Sequence, residues 1–211
     1  MRTYVKLLLA AFAMSALLFA ASGIAVALRS LGANSTALTA SGRAIFTGPS
    51  GLNVRCNLTL IIVLSRSFAK GGGATAGSVT RADPVNTRTL PCSSNLGTSA
   101  EIVAALNLPW PVVYNSFGGT LPNITELLLT IQRMQLLLRT NNPFERDRLC
   151  LYRGDVPFRI KINAARELET GEALRNTETL EETLPGSGTC ESEIEFGMRL
   201  GSTTRNVVSL L

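Results

Sequence analysis

Glu191, Glu193 and Glu195 alternate with Ser192, Ile194 and Phe196. Side chains on an extended chain point to opposite faces in turn, so the three carboxylates share one side and Ile194 and Phe196 the other. Carboxylates can work as acid and base in glycoside hydrolysis, or hold a hard cation such as calcium. Hydrolysis needs two of them facing each other across a substrate, one with its pKa raised by burial. A row on one open face is simply solvated, and no metal or cofactor is expected there. The remaining inventory is narrower. The chain contains no histidine, which removes Ser–His–Asp and Cys–His catalysis, histidine-ligated zinc and histidine pH switching. Apart from Lys6 near the N-terminus, its lysines are Lys70, in a glycine-rich loop, and Lys161, in a strand, so a Ser–Lys dyad is not expected either. The sequence reads as that of a protein that is not an enzyme.

Four cysteines remain: Cys56, Cys92, Cys150 and Cys190. None lies close enough to another for a C-x-x-C metal or redox motif. An even number in an exported chain reads as two disulfides. Three connectivities are open, and Cys56–Cys92 with Cys150–Cys190 is favoured because each closes a loop of moderate size. In the chain-entropy account each such loop contributes on the order of 3–4 kcal/mol.

Export is read from the N-terminus. Arg2 and Lys6 precede an apolar run from Leu7 to Ala21, and Ala25 and Ala27 supply the small residues of a cleavage site. That order is the signature of a signal peptide over 1–27, helical while it lasts; a retained membrane anchor is the alternative, since the 21 residues from Leu7 to Ala27 are roughly enough to span a bilayer. Residues 28–35 read as a flexible arm, and 36–211 as a single β-rich domain. From Leu28 to Ile162 there are 14 basic and 6 acidic residues; from Asn163 to Leu211 there are 4 and 9. Either two halves of one domain attract each other, or a basic face meets anionic polymers or lipid headgroups.

Alternation carries the fold. Val54, Cys56, Leu58, Leu60, Ile62 and Leu64 fall on one face, with Arg55, Asn57 and Thr59 opposite, which predicts a half-buried strand. Thr36–Thr47, Ser78–Arg81, Ile102–Leu106, Leu149–Tyr152, Val156–Ile162, Cys190–Leu200 and Asn206–Leu210 read as further strands. Thr125–Thr140 fits neither helical nor strand spacing cleanly and is assigned as strand from its neighbours. Lys70–Gly77 reads as a flexible hairpin loop, because its glycines lack the spacing of a phosphate-cradling motif. Arg153-Gly154-Asp155 reads as a turn between strands. The acidic segment at about 164–184 holds either a short helix or an exposed insertion. The expected class is all-β: a single antiparallel sandwich or partly open barrel.

Aromatic chemistry concentrates in Leu108–Thr125, with Trp110, Tyr114 and Phe117. Pro109 and Pro111 hold the backbone extended, so Trp110, Val112 and Tyr114 project to one side of a strand and Asn115–Gly119 then turns. Exposed, these rings would stack on flat or apolar ligands; buried, with Phe117, they would close one end of the core. The candidate ligand-binding residues are therefore Trp110, Tyr114 and Phe117, for an apolar small molecule, a lipid or an envelope component. No nucleic acid is expected as a partner.

Leu108-Pro-Trp110, Tyr114-Asn-Ser-Phe117 and Gly119-Thr-Leu-Pro-Asn-Ile124, set between Cys92 and Cys150-Leu-Tyr152, resemble a group of exported actinobacterial proteins of unknown function. The likeness covers about Thr36 to Ile162. More distantly, Cys92 to Trp110 is similar to small exported activators of alkane oxidation. Both resemblances imply a secreted, bacterial β-rich domain, and neither carries an assigned catalytic residue. The function expected is that of a non-enzymatic envelope or extracellular protein binding an apolar or surface ligand. The alternatives are a structural or adhesion subunit that packs against other proteins and, third, a hydrolase with paired carboxylates.

Overall fold

A computed structural model describes residues 30–33, 37–69, 71–84, 92–95, 99–120, 123–141, 148–165, 167–173, 179–182, 190, 193–202 and 208–210. The leader segment 1–27 lies outside them. Among the described residues every regular element is a strand: β1 Ser30–Ala33, β2 Ala37–Thr47, β3 Asn53–Leu64, β4 Ser67–Ala69, β5 Ala74–Pro84, β6 Cys92–Ser94, β7 Ser99–Ala105, β8 Trp110–Thr120, β9 Asn123–Asn141, β10 Arg148–Ile162, β11 Leu168–Ala173, β12 Thr179–Glu182, β13 Glu193–Ser202 and β14 Val208–Leu210.

The pairings run in a ring. β13 pairs with β2, β2 with β3, and β9 with β10. These five strands run the length of the wall, and the other three positions are each filled by two strands placed end to end. Between β3 and β9, β5 and β8 occupy one end while β6 and β7 occupy the other. Between β10 and β13, β11 and β12 divide the gap in the same way. Counting at either end gives eight strands around, all antiparallel, so the expected all-β barrel is what the chain forms. It is incompletely walled: between β11 and β12, Phe196–Met198 of β13 have no strand partner on that side among the described residues.

Eight strands enclose a space that side chains can just fill. Val54, Cys56, Leu58, Leu60, Ile62 and Leu64 do point inward from β3, each no more than 3% exposed. They join Phe46, Trp110, Tyr114, Tyr152, Phe158 and Phe196 in one continuous core. Phe46 and Phe196 meet edge to face, with centroids 5.3 Å apart. Each large apolar side chain so buried contributes about 1.5–3 kcal/mol.

The ambiguous stretch 125–140 is strand, and its broken pattern has a local cause. Leu127, Leu129 and Ile131 point inward, then Met134, Leu136 and Leu138: the inward phase moves from odd to even numbers. The switch is a β-bulge. Gln132 and Arg133 stand opposite the single residue Asp155, because Ile131 pairs with Val156 and Met134 with Gly154. Arg133 takes a left-handed φ of 53°, and its N–H donates to the Asp155 carboxylate at 2.7 Å. Arg153-Gly154-Asp155 is therefore not a turn. It lies inside β10, where one continuous strand replaces the two expected, and Asp155 holds the bulge of its neighbour.

Four other expectations are corrected. Asn115–Gly119 does not turn: β8 continues to Thr120 with a bulge at Asn115 between the Tyr114 and Ser116 pairings. The glycine-rich loop is shorter than expected, because Ala74 already begins β5. Gly77 pairs there with both Leu64 and Val112, at a close approach where a Cβ would lie 2.2 Å from the Val63 carbonyl oxygen. Within the arm expected at 28–35, the described residues Ser30–Ala33 form β1, which pairs with β4 and β14 in a small separate sheet. Leu31 is buried in the core there. The acidic segment contains strands β11 and β12 and, among its described residues, no helix.

Two substitutions test this account in urea denaturation. Asp155→Ala should lower stability by about 1–2 kcal/mol through the lost charge-assisted bond. Arg133→Gly should leave stability unchanged or raise it by up to about 1 kcal/mol, as relief of the left-handed φ outweighs the freer unfolded chain. A neutral Asp155→Ala would mean that the bulge holds without it. Gly77→Ala should cost about 1–3 kcal/mol, since only backbone lies against the new methyl.

Candidate functional site

The aromatic cluster is sealed inside. Alternation along β8 does put Trp110, Val112 and Tyr114 on one side, and that side faces the core: Trp110 is 0% and Tyr114 1% exposed. The chain reaches this position through a turn at Asn107, which takes φ 55° and donates from Nδ2 to Gln135 Oε1 at 2.6 Å. The Leu106 N–H donates to the Gln135 carbonyl at 3.0 Å. The Leu106 carbonyl in turn accepts the Trp110 indole N–H at 2.8 Å, so the one polar atom of the ring is satisfied without solvent. Tyr114 packs against Phe68 of β4, centroids 5.7 Å apart, and burial pushes its phenol pKa up. Phe117 is half-buried against the core. The exposed stacking ladder is thus corrected to a core cluster.

Both disulfides form as favoured. Cys56–Cys92 ties directly paired residues of β3 and β6, and Cys150–Cys190 ties β10 to the residue three before β13. No free thiol is left. Glu193 and Glu195 are exposed while Ile194 and Phe196 are buried, which is the solvated face the alternation predicts; Glu191 lies outside the described residues. The spacing Ser67-Phe-Ala-Lys70 is Ser-x-x-Lys, but Ser67 lies on strand β4, whereas that spacing brings two side chains to one face only on a helix. Lys70 lies outside the described residues.

What the sequence does not announce is a row of polar side chains across the outside of the wall. Register places Arg159 of β10 opposite Glu172 of β11, Glu172 opposite Arg199 of β13, Arg199 opposite Arg43 of β2, and Arg43 opposite Asn57 of β3. One end of this row is neutralised: Arg159 reaches Glu126 at 3.4 Å and Glu172 at 3.6 Å. These contacts are long, and the buried Arg159 Nε has no hydrogen-bond partner. The pair also joins the basic part of the chain to the acidic part, as one reading of the charge asymmetry requires. The other end is not neutralised. Other ion pairs among the described residues join Arg81 to Asp83 and Arg139 to Glu101, and neither Arg43 nor Arg199 takes part in any of them.

A cleft of about 740 Å³ opens at this end, lined by Arg43, Asn57, Glu172 and Arg199 around Gly42 and Gly197. It lies beside the break in the wall between β11 and β12, and Ala173 and Met198 form part of its floor. A smaller depression of about 230 Å³ adjoins it across Ile45 and Gly197 and is lined by Thr47, Asn53, Arg55 and Glu195. Such a surface can offer guanidinium and amide donors to a ligand. It has no pair of buried carboxylates and, among the described residues, no group of three potential metal ligands. Comparison of the chain with known protein families, characterised proteins and solved structures finds no match.

The sealed cluster has a measurable consequence. Because burial raises the Tyr114 pKa, this group's contribution to stability is complete below the ordinary tyrosine value of about 10 and is lost as pH rises through the folded value. Absorbance titration of the wild type minus Tyr114→Phe should show a phenolate step above pH ~10, with wild-type stability falling over the same range. A step at or below the ordinary value would place the ring in water.

Proposed function

We propose that this chain is a non-enzymatic protein of the cell envelope or exterior that binds a surface ligand on the outer wall of a filled barrel. The observation that carries the reading is the interior itself. Barrels that carry small apolar ligands keep a cavity open inside; here Trp110, Tyr114, Phe46, Tyr152 and Phe158 occupy the middle. The polar cleft at Arg43 and Arg199 is then the better place for a ligand. Two disulfides support an oxidising compartment, in keeping with the leader-like N-terminus. The wall is also inverted relative to a membrane barrel, whose apolar band faces lipid: Arg43, Arg55, Arg81, Arg153, Lys161 and Arg199 are all exposed. A structural or adhesion subunit would offer a long free strand edge, and the ring uses the edges of its long strands on one another.

Fluorescence separates inside from outside. Trp110 is the only tryptophan, so wild-type emission reports on the interior, and Ile45→Trp adds a reporter in the cleft. A panel of soluble envelope glycans, phosphate compounds and lipid vesicles should include a ligand that alters the Ile45→Trp signal and leaves wild-type emission unchanged. An alkane or fatty acid that shifts wild-type emission would put the ligand inside the barrel and overturn the reading.

A further inference from the structure

Resting on that outer-wall reading, we infer that Arg43 and Arg199 form a two-armed clamp for a phosphate group, with Asn57 supplying a third donor. The argument begins from an unfavourable arrangement. Arg43 and Arg199 stand directly opposite each other on adjacent antiparallel strands, a placement that destabilises a sheet when both residues carry the same charge. Both are exposed, and each guanidinium is charged at any working pH.

The neighbours do little to relieve the repulsion. Arg43 has Asn57 across from it on its other side, and Ser41 and Ile45 two residues away along its own strand. Arg199 is flanked on its strand by Gly197 and Gly201, which carry no side chains. Its one acidic neighbour, Glu172, is already engaged by Arg159. Along the row Arg159, Glu172, Arg199 and Arg43 there are three positive charges and one negative; Glu126 also reaches Arg159 but stands opposite Lys161, so an excess remains at the Arg43 end, where the cleft opens.

An anion bound there removes the repulsion, and the donor geometry selects which anion. A guanidinium fork presents two parallel N–H donors and matches two oxygens at once. A carboxylate has two oxygens and is satisfied by one fork. A phosphate has enough oxygens to accept both forks and still take the Asn57 amide. Gly197, on the same outward face of its strand as Arg199, leaves room for it beside the two arginines. The same terminal phosphate, with at least three free oxygens, is presented by a soluble phosphomonoester and by a phosphatidic acid headgroup, whereas a phosphodiester headgroup has two free oxygens, as a carboxylate does.

The test uses the disulfide-bonded protein with inorganic phosphate, at constant ionic strength against chloride, and with vesicles containing phosphatidic acid against phosphatidylcholine alone. Phosphate should raise the melting temperature. Arg43→Gln and Arg199→Gln should each weaken phosphate or vesicle binding by about tenfold or more, while Arg153→Gln, which removes the same charge elsewhere on the wall, should not. Without ligand, both cleft variants should melt no lower than the wild type, because a repulsion has been relieved. A response to free phosphate identifies a soluble phosphate ester as the source, and a response confined to phosphatidic acid vesicles identifies a lipid headgroup. Binding that survives both substitutions, or falls equally in Arg153→Gln, overturns the clamp. If a neutral glycan changes the Ile45→Trp signal and phosphate in neither form binds, the clamp is wrong and the outer-wall reading stands. If no member of either panel binds, both fall.

Discussion

An antiparallel ring of eight strands encloses a fixed, small volume, and the rest of this structure follows from filling it. Strand alternation sends every second side chain inward, so each long strand must supply an apolar residue at every inward position. β3 does this without interruption from Val54 to Leu64. Bulk must also vary from place to place. Gly171 lies where a Cβ would come within 2.3 Å of the Phe158 ring, so a large residue on β10 is accommodated by a missing one on β11. Trp110 and Tyr114 belong to the same packing problem. Both rings fill the interior beside β5 and β9, and the Trp110 indole N–H is held by the Leu106 carbonyl.

Filling the interior does not by itself hold the end built from β6, β7 and β12. β6 has three residues and β12 four, too few for pairing alone to offset the backbone entropy of ordering them. The disulfides lie at this end. Cys56–Cys92 fastens β6 to β3 at a paired position. Cys150–Cys190 fastens the chain entering β13 to β10, the strand on the far side of β12. With sequence separations of 36 and 40 residues, each restricts the unfolded chain by about 4 kcal/mol in the loop-entropy account. The opposite end has no such staple. There β1, β4 and β14 form a small sheet that brings Leu31 and Phe68 into the core.

Much of this architecture was legible from residue order because period two is a local signal. β2, β3 and the entry to β8 could be read directly, and loop size pointed to the correct cysteine pairs. Two misreadings and one ambiguity share one physical cause. A bulge adds a residue to one strand and reverses its phase, so a continuous strand looks like two strands or like a turn. Arg153-Gly154-Asp155 and Asn115–Gly119 both have turn composition, yet the first lies opposite a bulge and the second contains one. In 125–140 the mixed pattern is two clean patterns joined at Gln132 and Arg133. Gly77 was taken for loop because glycine is common in loops, whereas it serves there to let β3 and β5 approach.

The candidate site was far less legible. Arg43, Asn57, Glu172, Arg199 and Arg159 share no motif, and only the register of five strands brings them into one row. No local window of sequence contains that information. The core nevertheless determines it. Arg43 lies between Gly42 and Ala44, and Arg199 follows Met198; Ala44 and Met198 are inward-facing and buried. A slip of one residue in β2 or β13 would exchange the faces and carry a guanidinium into the apolar interior, where an unpaired charge costs several kcal/mol. The same alternation that packs the barrel therefore keeps the two arginines outside and side by side. Their mutual repulsion is a cost that the filled core can bear, and an anion in the cleft would remove it.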